Sequence, residues 1–350
     1  MVTLSLCMIV KNEEDVIARL LNSVEDLFDE IIVVDTGSTD NTKQILKSFN
    51  CKIFDYKWHN DFASARNYAF SHATSDFIMW LDADDIIIPS ELKKLKALKS
   101  ELNNNIDVVM LKYSIGSNDN QLKYYRERIL RKNMGFVWED AVHECITPRG
   151  NIIYKDIFIT HAKIKSGDPK RNLKIYNSLI KNKVKLSPRQ MFYYARELMY
   201  NNNFKKAIIW FKRFLKTTGG FKENYIEACL NLSYCYLNTN NQEIAKQTLF
   251  KSFNYDLPRS EILCELGNIY YEQKLYNQSI YYYLLATTNT PNENNGGFIN
   301  PDCYGFLPYL QISFSYYYLN NFSMANHYFN IAKKLKPNST LILENQKFFN

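Results

Sequence analysis

Residues 78–85 read IMWLDADD, an apolar run that ends in three carboxylates, Asp82, Asp84 and Asp85. Carboxylates at i and i+2 of an extended segment point the same way, while the residue between them points away. Unpaired charge beside a buried strand is costly. A hard divalent cation, Mn2+ or Mg2+, shared with diphosphate oxygens would relieve that cost. The competing reading is a solvated pair that caps a helix starting near Pro89. Other polar residues stand at comparable places: Asp35 ends EIIVVD just before Thr36-Gly37-Ser38, and Asn12 and Glu13 follow the first apolar run. Arg66, four residues after Phe62, suits either a surface salt bridge or a diphosphate. His143 and His161 suit either ligation and proton transfer or a hydrogen-bonded place on a strand edge. Trp138 suits the core or a sugar-stacking platform. Neither GxGxxG nor GxxxxGK[ST] occurs, which weakens dinucleotide and P-loop readings.

The elements that must position these residues alternate in type. Strands are expected at Leu4–Val10, Glu30–Asp35, Lys52–Asp55 and Phe77–Leu81, with helices over Glu13–Val24, from the TGSTDNT turn to about Phe49, and around Phe62–His72. EIIVVD is apolar almost throughout, as a strand buried on both faces must be. Such alternation predicts a mostly parallel α/β sheet with its ligand at the carboxyl ends of the strands. Further strands are expected at Val108–Tyr113, Tyr124–Leu130, Phe136–Val142 and Ile152–Thr160. SGDP at 166–169 marks a break before a helix of about Lys170–Lys185.

From Ser187 onward the pattern is helical and repetitive. A small residue, a small residue twelve on, another seven further and Pro five further describe Gly267, Ser279, Ala286 and Pro291, and equally Ser313, Ala325, Ala332 and Pro337. Ser233, Ala245 and Ser252 fit, with Pro258 one place late; Ala195 and Ala207 fit, with Phe214 in the third position. Small residues belong where paired helices touch, and Pro ends the second helix. The unit resembles the tetratricopeptide repeat, with PNENNGGFINPD as an insert between two copies. The many Tyr residues here read as helical core rather than base-stacking platforms. The expected domains are 1–165, a linker helix at 166–188, and repeats over 189–350.

Composition narrows the function. The net charge of +7, from 43 basic and 36 acidic residues, suits an anionic ligand without requiring nucleic acid. Seven Cys with no CxxC pair argue against a disulfide framework or zinc knuckle and for reduced, buried thiols. The N-terminal apolar run lacks a basic lead and a cleavage site, so it reads as a first strand. No apolar run reaches transmembrane length, and a cytoplasmic protein is expected.

LCMIVKNEE, EIIVVDTGSTDNT, WHNDFASARN and IMWLDADD, in this order and spacing, resemble family 2 glycosyltransferases of the GT-A fold over roughly residues 1–165. The later Val142-His143-Glu144 and His161 are similar to the subgroup containing lipopolysaccharide-core glucosyltransferases and the sublancin S-glycosyltransferase, some members of which also carry repeat helices. The resemblance implies a UDP-sugar donor, UDP-GlcNAc or UDP-Glc. It implies that Asp35 binds the nucleotide base with Arg66 and Asn67 nearby, and that Asn12 and Glu13 border the same site. Asp82 would contact ribose or metal, Asp84 would coordinate Mn2+ or Mg2+, and His161 would complete the shell.

The family's inverting displacement also needs a carboxylate base. Glu139, Asp140 and Glu144 in WEDAVHE are the candidates. Asp140 is favoured, although the subgroup often has Gly there; Glu144 and His143 stand beside it. The expected activity is metal-dependent transfer of a sugar to a protein or peptide side chain, O- or S-linked. The repeat half favours that acceptor and is compatible with a homodimer. Two alternatives are transfer onto a lipopolysaccharide or cell-wall glycan, and an inactive domain on a repeat scaffold.

Overall fold

The apolar segments Leu4–Val10 (β1), Glu30–Asp35 (β2), Lys52–Asp55 (β3) and Phe77–Trp80 (β4) pair in parallel, in the order β3-β2-β1-β4. The computed structural model describes residues 2–116, 122–164, 167–292 and 296–349. It divides into two compact units, Met1–Val184 and Lys185–Asn350. The helix Arg171–Lys181 therefore goes with the first unit instead of standing apart as a linker. Ser166, in the expected break, and residues 293–295, in the expected insert, lie outside the described residues.

The sheet of the first unit continues past β4 through Leu122–Arg131 (β7), Val108–Ile115 (β6) and Ile152–His161 (β10) to the two-residue Asp85–Ile86 (β5). β7 runs antiparallel to both β4 and β6, and β5 runs antiparallel to β10, so the eight-stranded sheet is mixed. Side chains alternate faces along each strand. Leu4, Leu6, Met8 and Val10 of β1 join one core with Leu20 and Leu21 of Ile17–Val24 (α1) and Leu95 and Leu98 of Pro89–Glu101 (α4). Cys7 of β1 and Ile32 and Val34 of β2 join the other core, under Phe62–Ser71 (α3). Ala63 and Ala69 let α3 approach the sheet closely, and the Asp61 carboxylate caps it by accepting from Ser64 N–H at 2.9 Å.

Three boundaries differ from expectation. Glu13 donates to Thr42 Oγ1 across to the next loop, and regular helix begins only at Ile17. The helix expected to reach Phe49 is the short Thr42–Leu46 (α2). Phe136–Val142 is not one strand: only Trp138–Glu139 (β8) is extended, paired with Cys145–Ile146 (β9), because Asp140 takes a positive φ of 72° and turns the chain.

The second unit is a run of helix pairs: Pro188–Tyr200 (α6) with Phe204–Phe214 (α7), Lys222–Leu237 (α8) with Gln242–Lys251 (α9), Ser260–Glu272 (α10) with Tyr276–Thr287 (α11), and Phe306–Tyr318 (α12) with Phe322–Leu335 (α13). The helix Arg171–Lys181 is α5, and Thr340–Asn345 (α14) follows the pairs. Every small residue of the repeat register is buried, and so is Phe214. A Cβ on Gly267 would stand 2.8 Å from the Tyr283 ring, so this crossing of α10 and α11 requires glycine. Each pair turns through one left-handed residue, Asn202, Asn240, Lys274 or Asn320, three of them the residue type that tolerates that region best after glycine.

Candidate active site

Strand ends build the site. The β1 and β2 loops clasp each other: Asn12 Oδ1 accepts from Thr39 N–H at 2.8 Å, and Asn12 N–H donates to Ser38 Oγ at 3.0 Å. The buried Asp35 carboxylate accepts from the N–H groups of Gly37 and Ser38, which shapes the turn behind it.

Arg66 enters from the buried face of α3. Its Nη2 donates to Asp82 Oδ1 and its Nε to Glu144 Oε1, both at 2.8 Å. The guanidinium lies 5.2 Å from the Trp80 ring centre and 4.8 Å from that of Trp138. Trp138 is thus core. Asn67 fixes it from the next position on α3, its amide exchanging two hydrogen bonds with the Trp138 backbone at 2.9 and 2.8 Å. Burial works against charge on Asp82, but Arg66, then Arg128, draw its carboxyl down to about 2. One guanidinium therefore ties α3, the LDAD segment and the β8–β9 loop together.

The third carboxylate gives the larger surprise. Asp85 is completely buried and paired with the equally buried Arg128 at 3.1 Å. It also accepts from Tyr113 Oη at 2.9 Å and from the backbone N–H of Asp82 at 3.0 Å. Arg128 lies 3.7 Å from the Trp80 ring centre and 4.4 Å from that of Tyr113, and donates to Trp80 O as well. Burial, the largest influence, pushes the Asp85 carboxyl up against the pull of Arg128. In sequence, Arg126 and Arg128 look like solvent charges in YRERIL. The usable signal was their i, i+2 spacing on a strand antiparallel to IMW.

Asp84, Asp85 and His161 bring two carboxylate oxygens and an imidazole nitrogen within 4.8 Å of one another. His161 Nδ1 is 3.4 Å from Asp84 Oδ1 and 3.0 Å from Tyr113 Oη. The hydrogen bond to Asp84 raises the His161 pKa, against burial. The register places His161 opposite Asp85 at the β10–β5 pairing. Among the described residues no Lys or Arg side chain pairs with the Asp84 carboxylate. A mixed oxygen–nitrogen set in which the Asp84 carboxylate has an imidazole beside it fits a hard or borderline divalent cation. Of the expected ligands, Asp84 and His161 come together; Asp82 turns an oxygen to Arg66, and Asp85 stands in the group instead.

Of the expected bases, Asp140, His143 and Glu144 share the five-residue loop between β8 and β9. Asp140 and His143 both adopt positive φ, 72° and 56°. The loop is anchored by Phe62 N–H donating to Ala141 O at 2.8 Å, by the Arg66–Glu144 pair, and by Tyr176 of α5, whose hydroxyl donates to Val142 O at 3.4 Å. Glu139 is exposed on β8.

Residues 5–158 match the family described as glycosyl transferase family 2. This stretch, a little under half of the chain, is similar to family 2 glycosyltransferases. The chain is 35% identical over 147 residues to a TPR repeat-containing protein of Synechococcus elongatus, covering 42% of this chain and 36% of that protein. It is 29% identical over 255 residues to the SPbeta prophage-derived glycosyltransferase SunS of Bacillus subtilis, covering 68% of this chain and 60% of SunS. The chain thus spans 36% and 60% of the length of these relatives. A solved structure of S. aureus TarS 1-349 aligns over 83% of this chain and 93% of its own, at 16% identity and a TM-score of 0.37. The matched stretch is followed by tetratricopeptide-like helices, and among the described residues no helix is long and apolar enough to cross a membrane.

Proposed function

We propose that the chain transfers a sugar, with inversion, from a UDP-sugar to a protein or peptide side chain. The Asp84–Asp85–His161 group carries this reading, because it offers one cation site beside the Asp82–Arg66–Glu144 bridge at the sheet's carboxyl edge. A bound Mn2+ or Mg2+ would supply Lewis-acid stabilisation of the diphosphate leaving group. Asp84 and His161 are its proposed holders. Asp85, already accepting three hydrogen bonds, keeps the group in place. Asp35, with Asn12 and Glu13 at the neighbouring strand end, is the proposed uracil and ribose border. Asp140 takes the proton from the acceptor hydroxyl or thiol, whose oxygen or sulfur bonds to C1 as the C1–O bond to UDP breaks and its electron pair leaves with UDP. Glu144, whose carboxylate accepts from Arg66, stands in the same loop as the second candidate. The repeat helices support a polypeptide acceptor over a glycan. Seven free cysteines support a cytosolic site of action.

The test is a thermal-shift series of UDP-GlcNAc and UDP-Glc with and without Mn2+, followed by UDP release. Binding raises the melting temperature with ligand concentration over Kd. If no donor shifts melting and none is hydrolysed with any divalent metal, the inactive-scaffold alternative replaces this reading.

A further inference from the structure

In the helical unit the first helix of each pair touches the first helix of the next: α6 meets α8, α8 meets α10, and α10 meets α12. These helices therefore form the inner row of the repeat stack. That row carries polar and charged groups at packed positions. Arg196 on α6 faces Glu227 on α8, which accepts from Asn231 at 3.3 Å, while Glu261 lies on α10.

The insert between α11 and α12 does not loop away from this row. From Gly296 to Tyr304 it returns along it. A Cβ on Gly296 would lie 3.2 Å from the Phe221 ring at the start of α8. The Phe298 ring lies 4.8 Å from the Arg196 guanidinium of α6. Asn300 N–H donates to Glu261 Oε1 at 2.8 Å, and Tyr304 Oη donates to Glu261 Oε2 at 3.2 Å. A segment without helix or strand pairing from Gly296 to Asn300 thus meets three successive repeats through one ring, one main-chain N–H and one close backbone approach. Residues 296, 298 and 300 are nevertheless exposed and 297 and 299 half-buried, and Phe298 itself keeps 36% of its surface open, so the strap lies on the row without being sealed into it.

We propose that the inner faces of α6, α8 and α10 form a binding groove for an extended polypeptide, and that residues 296–300 are its intramolecular occupant, displaced by a segment offering an aromatic ring to Arg196 and, two residues on, a main-chain N–H to Glu261. The groove stands on the helical unit alone; that its partner is the acceptor rests on the transfer reading above. A tethered occupant acts at an effective concentration of roughly millimolar, so an incoming segment must outcompete it.

The full chain is titrated with the synthetic peptide GGFINPD by peptide-observed NMR, without donor sugar or metal, so the result is independent of transferase activity. Phe298→Ala, which loosens the tethered copy, should bind the peptide about tenfold or more tighter than the unmodified chain. A peptide with Ala for Phe should not bind. Adding Arg196→Ala to Phe298→Ala should abolish binding, and Phe298→Ala alone should leave the melting temperature of the helical unit unchanged. As a second readout, proteolysis between residues 296 and 300 of the unmodified chain should rise with peptide concentration. Equal binding by all proteins, no binding by Phe298→Ala, or a large loss of melting temperature in Phe298→Ala would each overturn the proposal.

Discussion

Replacing Arg66 by Met keeps the stem between Trp80 and Trp138 and removes the charge that Asp82 and Glu144 share. Removing one partner of a buried ion pair costs about 3–5 kcal/mol, mostly as desolvated charge left uncompensated. The Glu144 side chain is 14% exposed and faces most of that penalty; Asp82, at 32%, regains water and faces less. The expected loss is therefore about 3 kcal/mol. For a unit of this size that lowers its melting temperature by about 6–12 °C. Two of the four tryptophans flank the substituted position, so fluorescence-detected urea and thermal unfolding report on it directly. Adding Glu144→Gln should restore about 1 kcal/mol or more, because one stranded charge is gone and the two changes are coupled. A stability within about 0.5 kcal/mol of the unmodified chain, or strictly additive single and double changes, would show that Arg66 does not bridge two buried carboxylates.

Asp84→Asn should abolish the Mn2+-dependent donor shift while leaving ligand-free melting near its original value, whereas Asp85→Asn should lower ligand-free melting by about 3 kcal/mol because Arg128 is stranded beside it; equal behaviour of the two variants in paired thermal scans would contradict the division of labour. Burial works against charge on Glu30, but Thr74 N–H, Lys52, the Thr74 hydroxyl and Ser5 hold its carboxyl down at about 2 instead of 4.5. Its stabilisation is thus complete above about pH 4.5 and lost as pH falls through about 2, so Glu30→Gln should cost about 2–3 kcal/mol at neutral pH and converge with the unmodified chain near pH 2 in urea titrations. Gly267→Ala should destabilise the helical unit by about 1–3 kcal/mol through collision with Tyr283, read by circular-dichroism melting; an unchanged melt would mean that the α10–α11 crossing has room.

Much of this organisation was readable from residue types. Strands β1 and β2 fall where their apolar runs place them, because strands flanked by helices on both sheet faces are continuous in hydrophobicity, and the short edge strand β3 also falls where expected although none of its residues is buried. The small-residue register found the helix contacts, since small side chains let paired helices approach closely, with Phe214 the one large residue buried in that register. The left-handed turn residues recur in phase with it and were an unread second signal. What the sequence hid are interactions between distant strands. Asp85 resembles a solvated cap until Arg128, 43 positions later, is seen beneath it. Arg66 resembles a free phosphate ligand until the β8–β9 loop delivers Glu144, 78 positions later. Phe136–Val142 has strand-like composition, but a loop that must return Glu144 to α3 spends Asp140 and His143 on positive φ.

The pairing of His161 with the Asp84–Asp85 segment also has a temporal meaning. One half of the group emerges early in synthesis, and the other only after β6, β7 and β10 have been made. Until β10 docks, Asp84 has no imidazole beside it and Asp85 lies on no strand pair. Closure of so long a loop is slow relative to local helix formation. A chain still on the ribosome and shorter than this point carries the acidic segment without its imidazole partner, so the Asp84–Asp85–His161 group assembles late in synthesis, with α5 still to follow in the same unit.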